Sequence, residues 1–599
     1  MRALFVPGLL ASVTLVVLLG GSRESVAQQS ERFTLGPDVS TRVPPPDIEE
    51  QARRLIEAWK TYRSPDPPDG QDENASKGRG SVQNETAIAI NPLDPLNVVA
   101  VSNDYSSGNV LTGFYSTLDG GVNWTTGDLP LEPGFSFSGD PSVIFTPDGI
   151  PVIVCLQYFG PAGSGIYGYR SLDGGLTWQT GVQIDLNGAN DKVQTGCDFS
   201  GGPFHGQICS AWDRFGTGSG DHIYLSRSDN GGMTWKTSKR VNDANNRATI
   251  SPDVAYGANS ELWVMWADRG TEEIYVDRSI DGGVTFGADI LASGFNIVPS
   301  PIPGSSFRMF DIFSITADWT DGPYSGTVYV AYHTWKGGVD QNANIRCASS
   351  SDHGATWTNF IVNDDGFDNH ADQVMPHAAV DSKGNLNVGF FDRRLDPNNL
   401  LLWTWVARSS DGGQTFSNHQ VSGVGWDHNA TEFPSFIGDY TGLDVWEHFV
   451  RPCWTDGRSG SQNVMSDDVY LDFFSDESVL SAATGGQVHF TINIGPNYAG
   501  QDYWMFGSLG TSPGLTFGNG VHLPLNFDAF FLMTIQLANT AVLQNSMGVL
   551  DATGSALPLL DTFGPFDPAF SGFDLFFATL VGISPPTFAT NSTTVTLTL

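Results

Sequence analysis

Short apolar runs alternate with polar turns from about residue 81 to residue 475, a pattern that predicts many short strands. One stretch shows it clearly, because residues 252–256, 261–266 and 273–276 are three such runs separated by turns. With 69 Gly and 16 Trp in 599 residues, the chain has the composition of a globular protein that can bury a large core. The sequence therefore predicts an all-β domain.

A short motif recurs six times in this region. Its copies are STLDGGVNW, RSLDGGLTW, RSDNGGMTW, RSIDGGVTF, SSDHGATW and RSSDGGQTF. Their aspartates, spaced 52–71 residues apart, are Asp119, Asp173, Asp229, Asp281, Asp352 and Asp411. We predict a tight turn in which the carboxylate accepts backbone N–H bonds, glycine supplies positive φ and the aromatic ring packs beneath. These aspartates are therefore expected to be structural.

The six segments resemble the Asp-box, or bacterial neuraminidase repeat, of sialidase-like β-propellers. The resemblance implies a propeller with one motif between strands three and four of each blade. A further unit, FIGDYTGL to DDVYLDFF, follows the last motif without a copy of its own, so its outer strand would come from elsewhere, such as the segment near Phe33. We predict a seven-bladed propeller over 81–475, with six blades, as in sialidases, as the alternative.

The flanking segments differ in character. Residues 1–27 begin with a basic residue, Arg2, followed by an apolar run and a small-residue cleavage site near Ala27, which predicts a signal peptide and a secreted, extracellular protein. Residues 28–80 are predicted to be a proline-rich arm or linker with a short helix at about 47–62. Residues 476–599 contain no Lys or Arg and alternate in polarity, which predicts a C-terminal β-sandwich.

The formal charge of −36 argues against nucleic acid and anionic lipid as partners, because phosphate binding needs clustered Lys and Arg. No later segment reaches the roughly 18 apolar residues of a spanning helix, so we expect no membrane insertion. A glycan or glycoconjugate fits better as the partner. We expect no required cofactor; calcium is compatible with the acidic composition, although no loop pattern specifies a metal. Of the five cysteines, Cys197 and Cys209 flank a glycine-rich hairpin and are a candidate disulfide.

In a propeller, candidate chemistry lies on the face opposite the Asp motifs. Second strands end in Asp213-Arg214, Asp268 with Arg269, and Asp392-Arg393. First strands open near acids that should converge on the axis, namely Glu85, Asp140, Asp198, Asp253, Asp311 and Asp439. Such a pocket would let arginines bind a carboxylate and an acid protonate a glycosidic oxygen. The alternative, favoured because the pattern recurs, is that each Asp-Arg pair braces neighbouring blades.

The resemblance to sialidases implies a tyrosine nucleophile activated by a glutamate, an aspartate acid/base and three arginines on the substrate carboxylate. By position in the repeat, the catalytic candidates are Tyr440, Glu273 and Asp104. The candidates for substrate binding are Arg214, Arg269, Arg308, Arg393, Asp213, Asp268 and Asp392. The Arg-Ile-Pro sequence of the family's first strand is absent, since residues 84–88 read Asn-Glu-Thr-Ala-Ile.

Three histidines, His333, His370 and His377, offer a different route, as a base or as metal ligands. Two functions therefore follow from the sequence. One is a secreted carbohydrate-active enzyme, a glycoside hydrolase working at the central face of the propeller. The other is a non-catalytic propeller that binds glycans or surfaces and uses its C-terminal module for docking. Three arginines converging on one point would favour a sialidase.

Overall fold

The computed structural model describes residues 72–598 apart from short gaps, together with segments 13–15 and 31–33. The chain forms two compact units, Asp69–Val469 and a second made of Met1–Pro68 with Tyr470–Leu599. The predicted helix at 47–62 and most of the predicted signal peptide lie outside the described residues. Two short strands, Val13–Leu15 and Glu31–Phe33, pair antiparallel with each other.

The unit Asp69–Val469 begins with three four-stranded antiparallel sheets whose strands are paired in chain order. Sheet 1 consists of Gln83–Ile90, Val98–Asp104, Leu111–Thr117 and Thr125–Asp128. Sheet 2 consists of Phe137–Phe145, Pro151–Tyr158, Ser164–Arg170 and Val182–Asp185. Sheet 3 consists of Ala189–Cys197, Ile208–Thr217, Gly220–Ser228 and Lys239–Arg240.

Three further sheets repeat this pairing. Sheet 4 consists of Thr249–Tyr256, Leu262–Asp268, Glu273–Ser279 and Ile290–Gly294. Sheet 5 consists of Ser314–Ala317, Val328–Lys336, Asn342–Ser350 and Thr358–Ile361. Sheet 6 consists of Gln373–Val380, Leu386–Asp392, Trp403–Ser409 and Ser417–Gln420. Two 3-10 turns, Ala258–Ser260 and His428–Ala430, lie in the connections.

Sheet 7 takes its outer strand from the other end of the unit. Its first three strands are Gly442–Trp446, Phe449–Asp456 and Asn463–Ser466, and the fourth is Glu73–Asn74. The prediction that the segment near Phe33 supplies this strand is wrong. The physical reason is Arg451, which is fully buried and needs an anion, and Glu73 accepts a hydrogen bond of 2.5 Å from it.

The first strands of the seven sheets contact one another in chain order, and the first strand of sheet 7 contacts that of sheet 1. Apolar side chains fill the space between neighbouring sheets. Between sheets 4 and 5, for example, Trp263, Met265 and Val330 are buried in one cluster. The second strands are buried on both faces, which explains their nearly continuous apolar runs. This is the arrangement typical of β-propellers.

The Asp motifs lie between the third and fourth strands and have the predicted hydrogen bonds. Asp352 accepts bonds from the Thr356 N–H (2.8 Å), the Thr356 hydroxyl (2.6 Å) and the Ser350 hydroxyl (2.8 Å). Bonds from Thr356 and Ser350 lower the pKa of Asp352 to about 2. In sheet 3 the residue that takes the position of the motif aspartate is Asn230 and not the predicted Asp229. Its side chain accepts a hydrogen bond from the Thr234 N–H at 2.9 Å.

The unit that contains Tyr470–Leu599 has two larger sheets and a two-stranded ribbon. Sheet 8 consists of Phe473–Ser475, Gln487–Asn493, Leu543–Gln544, Ser555–Ala556 and Leu559–Asp561. Sheet 9 consists of Val479–Ser481, Asp502–Ser508, Met547–Val549, Asp574–Val581, Phe588–Ala589 and Thr593–Thr598. The ribbon pairs Leu515–Thr516 with His522–Leu523.

The two larger sheets share one apolar cluster, which includes Phe490 of sheet 8 and Phe577 of sheet 9. The helix Ala529–Leu537 adds Phe530 to this cluster and packs Phe531 in a second one beside Phe506. Its N-cap is Asp528, whose side chain accepts the Phe531 N–H. No described helix has the length and the apolar composition to cross a membrane.

The five cysteines are buried and carry free thiols, so the predicted Cys197–Cys209 disulfide is wrong. Cys197 lies on the first strand of sheet 3 opposite Ile208, and Cys209 lies opposite Gly196. Cys209 instead accepts a hydrogen bond from the Tyr256 hydroxyl at 2.9 Å. Burial raises the pKa of the Cys209 thiol to about 12, which makes it an unreactive core residue.

Candidate functional site

The candidate site is built from an irregularity that the first strands share. In five sheets the first strand shifts register against the second, as a β-bulge does, and a non-glycine residue there has positive φ. These residues are Glu85 (58°), Asp140 (50°), Lys192 (33°), Ser251 (65°) and Met375 (56°). The left-handed region costs such residues roughly 1–3 kcal/mol, and this strain is typical of functional sites. The bulges place these side chains around the axis.

Three carboxyl groups form a hydrogen-bonded row in this position, which we call the carboxyl row: Glu85, Asp140 and Asp191. Hydrogen bonds join the side chain of Asp140 to those of Glu85 and Asp191. A hydrogen bond between two carboxyl groups needs a proton, and Glu85 and Asp191 are the members of the row whose pKa is raised. Asn103 orders the row, because its Nδ2 donates to Glu85 at 2.7 Å and its Oδ1 accepts the Asp140 N–H at 2.8 Å.

Burial is the main cause of altered acidity in the row. It raises the pKa of Glu85 well above its usual range, with Asp140 and Asp439 adding to the effect. Burial, followed by the charge of Asp140, raises the pKa of Asp191 to about 8. Asp140 and Asp191 are only half-buried, so part of the row is exposed to solvent. Carboxylic acids that stay protonated at neutral pH are suited to general acid catalysis.

Two cations lie beside the row. The Lys192 ammonium is buried 3.3 Å from the centre of the Tyr440 ring, and within the described part of the chain its Nζ has no hydrogen-bond partner. Burial lowers the pKa of Lys192, while Asp253, Glu85, Asp140 and Asp439 act in the opposite direction. Arg308 forms a bidentate ion pair with Asp439, in which Nε donates to Oδ1 at 3.0 Å and Nη2 donates to Oδ2. The centre thus pairs its negative charges with two cations.

Aromatic side chains lie near the row and around Arg308, and we call them the aromatic rim: Tyr105, Tyr158, Phe310, Phe433 and Phe436. The Tyr105 and Phe433 rings are 6.2 Å apart, and the Phe433 and Phe436 rings 6.1 Å. The guanidinium of Arg308 lies 4.3 Å from the Phe436 ring and 5.0 Å from the Phe310 ring. Burial raises the pKa of Tyr105 to about 12, and the charges of Glu85 and Asp140 add to the effect.

The predicted catalytic trio is not brought together. Tyr440 lies in the centre, and burial with the surrounding carboxyl groups raises its pKa well above the usual range, so its hydroxyl is protonated. Asp104 is buried at the end of a second strand, where it binds Arg79 at 2.9 Å and the Tyr115 hydroxyl at 2.9 Å. Glu273 accepts a bond from Tyr275 at 2.7 Å. Asp104 and Glu273 therefore have local partners of their own.

Three of the four predicted substrate-binding arginines are paired with carboxylates outside the row. Each has a carboxylate partner outside its own Asp-Arg sequence. Arg214 binds Asp185 at 2.7 Å in the neighbouring sheet 2. Arg269 binds Asp311 at 2.8 Å, just before sheet 5. Arg308 binds Asp439 in the central cluster, and the guanidinium of Arg269 lies 5.2 Å from the Phe310 ring of the rim.

The remaining Asp-Arg sequences follow the same rule of local pairing. Arg393 is fully buried and lies 3.4 Å from Asp372. The aspartates that precede the arginines have other partners, with Asp268 bound to Arg247 and Asp392 bound to Arg394, both at 2.8 Å. Asp213 is buried, and burial raises its pKa well above the usual range. These contacts fit the bracing role weighed for the Asp-Arg sequences.

The histidines are divided among different environments. His377 faces the axis half-buried, and burial, with the nearby charge of Lys192, lowers its pKa to about 4. The buried His333 has its Nε2 3.7 Å from Asp311 and its Nδ1 3.4 Å from the Met375 N–H. Among the residues that the structure describes, no group of three His, Cys, Asp or Glu side chains is arranged to hold a metal ion.

Sequence reasoning placed Glu85, Asp140 and Asp439 at the axis but missed Asp191 and Lys192. It took Asp198 as the acid of sheet 3, and the structure places Asp198 at the opposite end of that first strand, in the turn towards the second. The signal that would have found the pair is the run Asn190-Asp191-Lys192 directly before the apolar Val193. It resembles Asn84-Glu85 before Ala87, where the first strand of sheet 1 has its bulge.

No protein-family model matches the chain, and no curated protein was found to match it. Solved structures do match. The GH93 α-L-arabinofuranosidase of Fusarium graminearum with arabinobiose is 12% identical, with a TM-score of 0.38, and the match covers 68% of this chain and 97% of that one. The Penicillium chrysogenum α-L-arabinanase with arabinobiose is 16% identical, with a TM-score of 0.34 over 55% of this chain and 92% of that one.

The leech intramolecular trans-sialidase, in complex with 2,7-anhydro-Neu5Ac, is 10% identical, with a TM-score of 0.39, and the match covers 59% of this chain and 70% of that one. A shared fold does not fix a chemistry. The function of this chain therefore has to be argued from its own residues.

Proposed function

We propose that the chain is a secreted glycoside hydrolase that cleaves neutral glycans at the axis of a seven-bladed propeller, with a C-terminal β-sandwich as an accessory module. The observation that carries this proposal is the carboxyl row, in which Glu85 and Asp191, whose pKa values are raised, lie near Asp439, the carboxylate bound by Arg308. Enzymatic hydrolysis of a glycosidic bond generally requires this combination of an acid and a charged partner.

Asp191 is the proposed general acid. With a pKa of about 8 it carries a proton at neutral pH. The proton passes to the glycosidic oxygen as the bond from that oxygen to the anomeric carbon breaks, and water supplies the hydroxyl that the anomeric carbon takes up. Asp439 is the proposed second carboxylate. Burial raises its pKa, but the guanidinium of Arg308 opposes this rise and stabilises the ionised form that accepts the proton of water.

The charges of the centre favour a neutral sugar over a sialoside. Binding of a substrate carboxylate by three arginines needs free guanidinium groups, and here Arg214, Arg269 and Arg393 are held by Asp185, Asp311 and Asp372. Four carboxyl groups, those of Glu85, Asp140, Asp191 and Asp439, surround Tyr440 in the centre and disfavour the binding of a further anion. The aromatic rim supplies flat apolar surfaces for the C–H faces of a sugar ring.

The test is a screen of the purified protein against fluorogenic arabinofuranosides, xylosides, galactosides and sialosides. We expect turnover of a neutral glycoside and none of sialosides, with loss of turnover in Asp191→Asn and Asp439→Asn. Asp104→Asn is the matched control, because this carboxylate binds Arg79 away from the row. Turnover of sialosides, or turnover unchanged in Asp191→Asn, would contradict the proposal.

A non-catalytic glycan-binding propeller is the second candidate. It is favoured by the local pairing of the Asp-Arg sequences, which leaves them as braces between sheets. Retained glycan binding with no turnover of any glycoside, in the wild type and in Tyr440→Phe alike, would support it. The prediction that no cofactor is required, with calcium compatible with the acidic composition, stays a prediction, and a calcium titration of the thermal midpoint tests it.

A further inference from the structure

A second aromatic site lies on the opposite face of the propeller unit, where the Asp motifs are. In an antiparallel sheet the turn between strands one and two is on the same side as the turn between strands three and four. In sheets 3 and 5 this first turn is ten residues long, 198–207 and 318–327, against two to seven residues in the other five sheets. The two long turns have related sequences, DFSGGPFHG and DWTDGPYSG.

The related sequences fold in the same way. In both turns the side chain of the first residue, an aspartate, accepts a hydrogen bond from the backbone N–H two residues later. Ser200 donates to Asp198 at 2.8 Å, and Thr320 donates to Asp318 at 2.9 Å. The main chain then closes through N–H bonds from Gly206 to Asp198 and from Gly326 to Asp318. Each turn therefore presents its two aromatic residues in equivalent positions.

The second aromatic residue of each turn has a structural task. Phe204 packs against Gly282 in the Asp motif of sheet 4, and Tyr324 packs against Gly412 in the Asp motif of sheet 6, so closely that a Cβ at either glycine would lie within 3.0 Å of the ring. These rings fasten neighbouring sheets together. Substitution of Phe204 or Tyr324 by alanine would therefore change the stability of the fold and would not test ligand binding.

The first aromatic residue of each turn, Phe199 or Trp319, is only half-buried and lines a groove of about 470 Å³. The two rings are 6.2 Å apart and inclined by 43°. The exposed side chains of Asp321, Ser382 and Lys383 complete the lining. A cleft of this size, with aromatic walls and a few polar groups, is typical of small-molecule sites.

We propose that this groove is a second glycan-binding site, which holds a segment of a neutral oligosaccharide away from the carboxyl row. The C–H faces of the sugar rings pack on Trp319 and Phe199, and the sugar hydroxyls bond to Asp321, Ser382 and Lys383. The mixed polar lining favours a hydroxyl-rich ligand over an apolar one. This role rests on the proposed hydrolase function, because a site on this face holds substrate without competing with cleavage at the row.

The test is titration calorimetry of the full chain with xylohexaose, cellohexaose, arabinohexaose and mannohexaose. All proteins carry Asp191→Asn so that no probe is cleaved at the row. We expect at least one hexasaccharide to bind with an affinity that falls by about tenfold in Trp319→Ala and in Phe199→Ala. Trp319→Phe keeps an aromatic wall and should retain most of the binding.

Leu172→Ala, an exposed apolar residue on the same face outside the groove lining, is the matched control. Unchanged thermal midpoints show that the variants are folded. Without the Asp191→Asn change, turnover of a small aryl glycoside should be the same in Trp319→Ala as in the wild type, which separates this site from the row. Binding of none of the four hexasaccharides, or equal binding by Trp319→Ala, would overturn the proposal.

Discussion

Lys192→Met is the substitution that probes the electrostatics of the centre most sharply. Lys192 lies among Glu85, Asp140 and Asp439, and its charge lowers the pKa of Glu85 and of Asp439. Two unit charges about 5 Å apart attract each other by about 3 kcal/mol at an effective dielectric constant of about 20. This energy corresponds to about 2 pKa units. Methionine keeps the length of the side chain and removes the charge.

The sign of the effect follows from the role of the ionised carboxylate. Loss of the ammonium raises the pKa of the carboxylate that has to be ionised, so the acidic limb of the kcat/KM profile moves to higher pH, by about 1–2 units. Lys192→Arg keeps the charge and should keep the limb close to its wild-type position. The assay is the pH dependence of kcat/KM on the neutral glycoside found in the screen.

A second measurement tests the charge balance even if the protein turns over no glycoside. Protonated carboxyl groups absorb in the infrared at a frequency distinct from that of carboxylates, so the row is titrated directly by difference spectroscopy. We expect more protonated carboxyl groups at pH 7 in Lys192→Met than in the wild type. An unchanged acidic limb, with an unchanged infrared titration, would refute the assigned charge balance.

Three other predictions follow. Asp191→Asn should lower kcat on the same substrate by about 10²–10⁴-fold, because the general acid is lost. It should also abolish the alkaline limb of the pH–rate profile near pH 8, and an intact alkaline limb would contradict the role of Asp191 as the acid. Arg451→Met should destabilise the unit by about 3–5 kcal/mol at pH 8 in urea unfolding, since Glu73 and Asp468 lose their buried cation. The loss should be smaller at pH 5, because burial raises the pKa of Glu73 to about 7 and protonation then removes its charge; an equal loss at both pH values would argue against it. Asp352→Ala should lower the thermal midpoint, because the turn loses the bond from the Thr356 N–H. The variant should keep its kcat, because the Asp motifs lie on the face away from the row, and a loss of turnover in the folded variant would contradict this placement.

The repeat made much of the fold predictable. A turn motif with fixed spacing locates the third and fourth strands of six units, because its hydrogen bonds are local and depend on few residues. The outer strand of sheet 7 was not predictable in the same way. Its two residues, Glu73 and Asn74, carry no apolar pattern, and they are selected by the buried Arg451 across the sheet.

The candidate site was predictable only where it followed the repeat. Glu85 and Asp140 were found because they open their first strands, whereas Asp191 was hidden by Asp198 at the other end of the same strand. The partners of the arginines depend on which sheet lies beside them. Arg214 and Arg269 reach carboxylates 29 and 42 residues away, and no local pattern specifies such pairs.

The central claim is that glycan cleavage takes place at the carboxyl row, and its most direct test is a crystal structure of Asp191→Asn with the neutral oligosaccharide selected by the screen. The proposed chemistry predicts a glycosidic oxygen within hydrogen-bond distance of residue 191, with a sugar ring against the aromatic rim near Arg308. An oligosaccharide bound only at a distance from the row, with the centre unchanged, would contradict it.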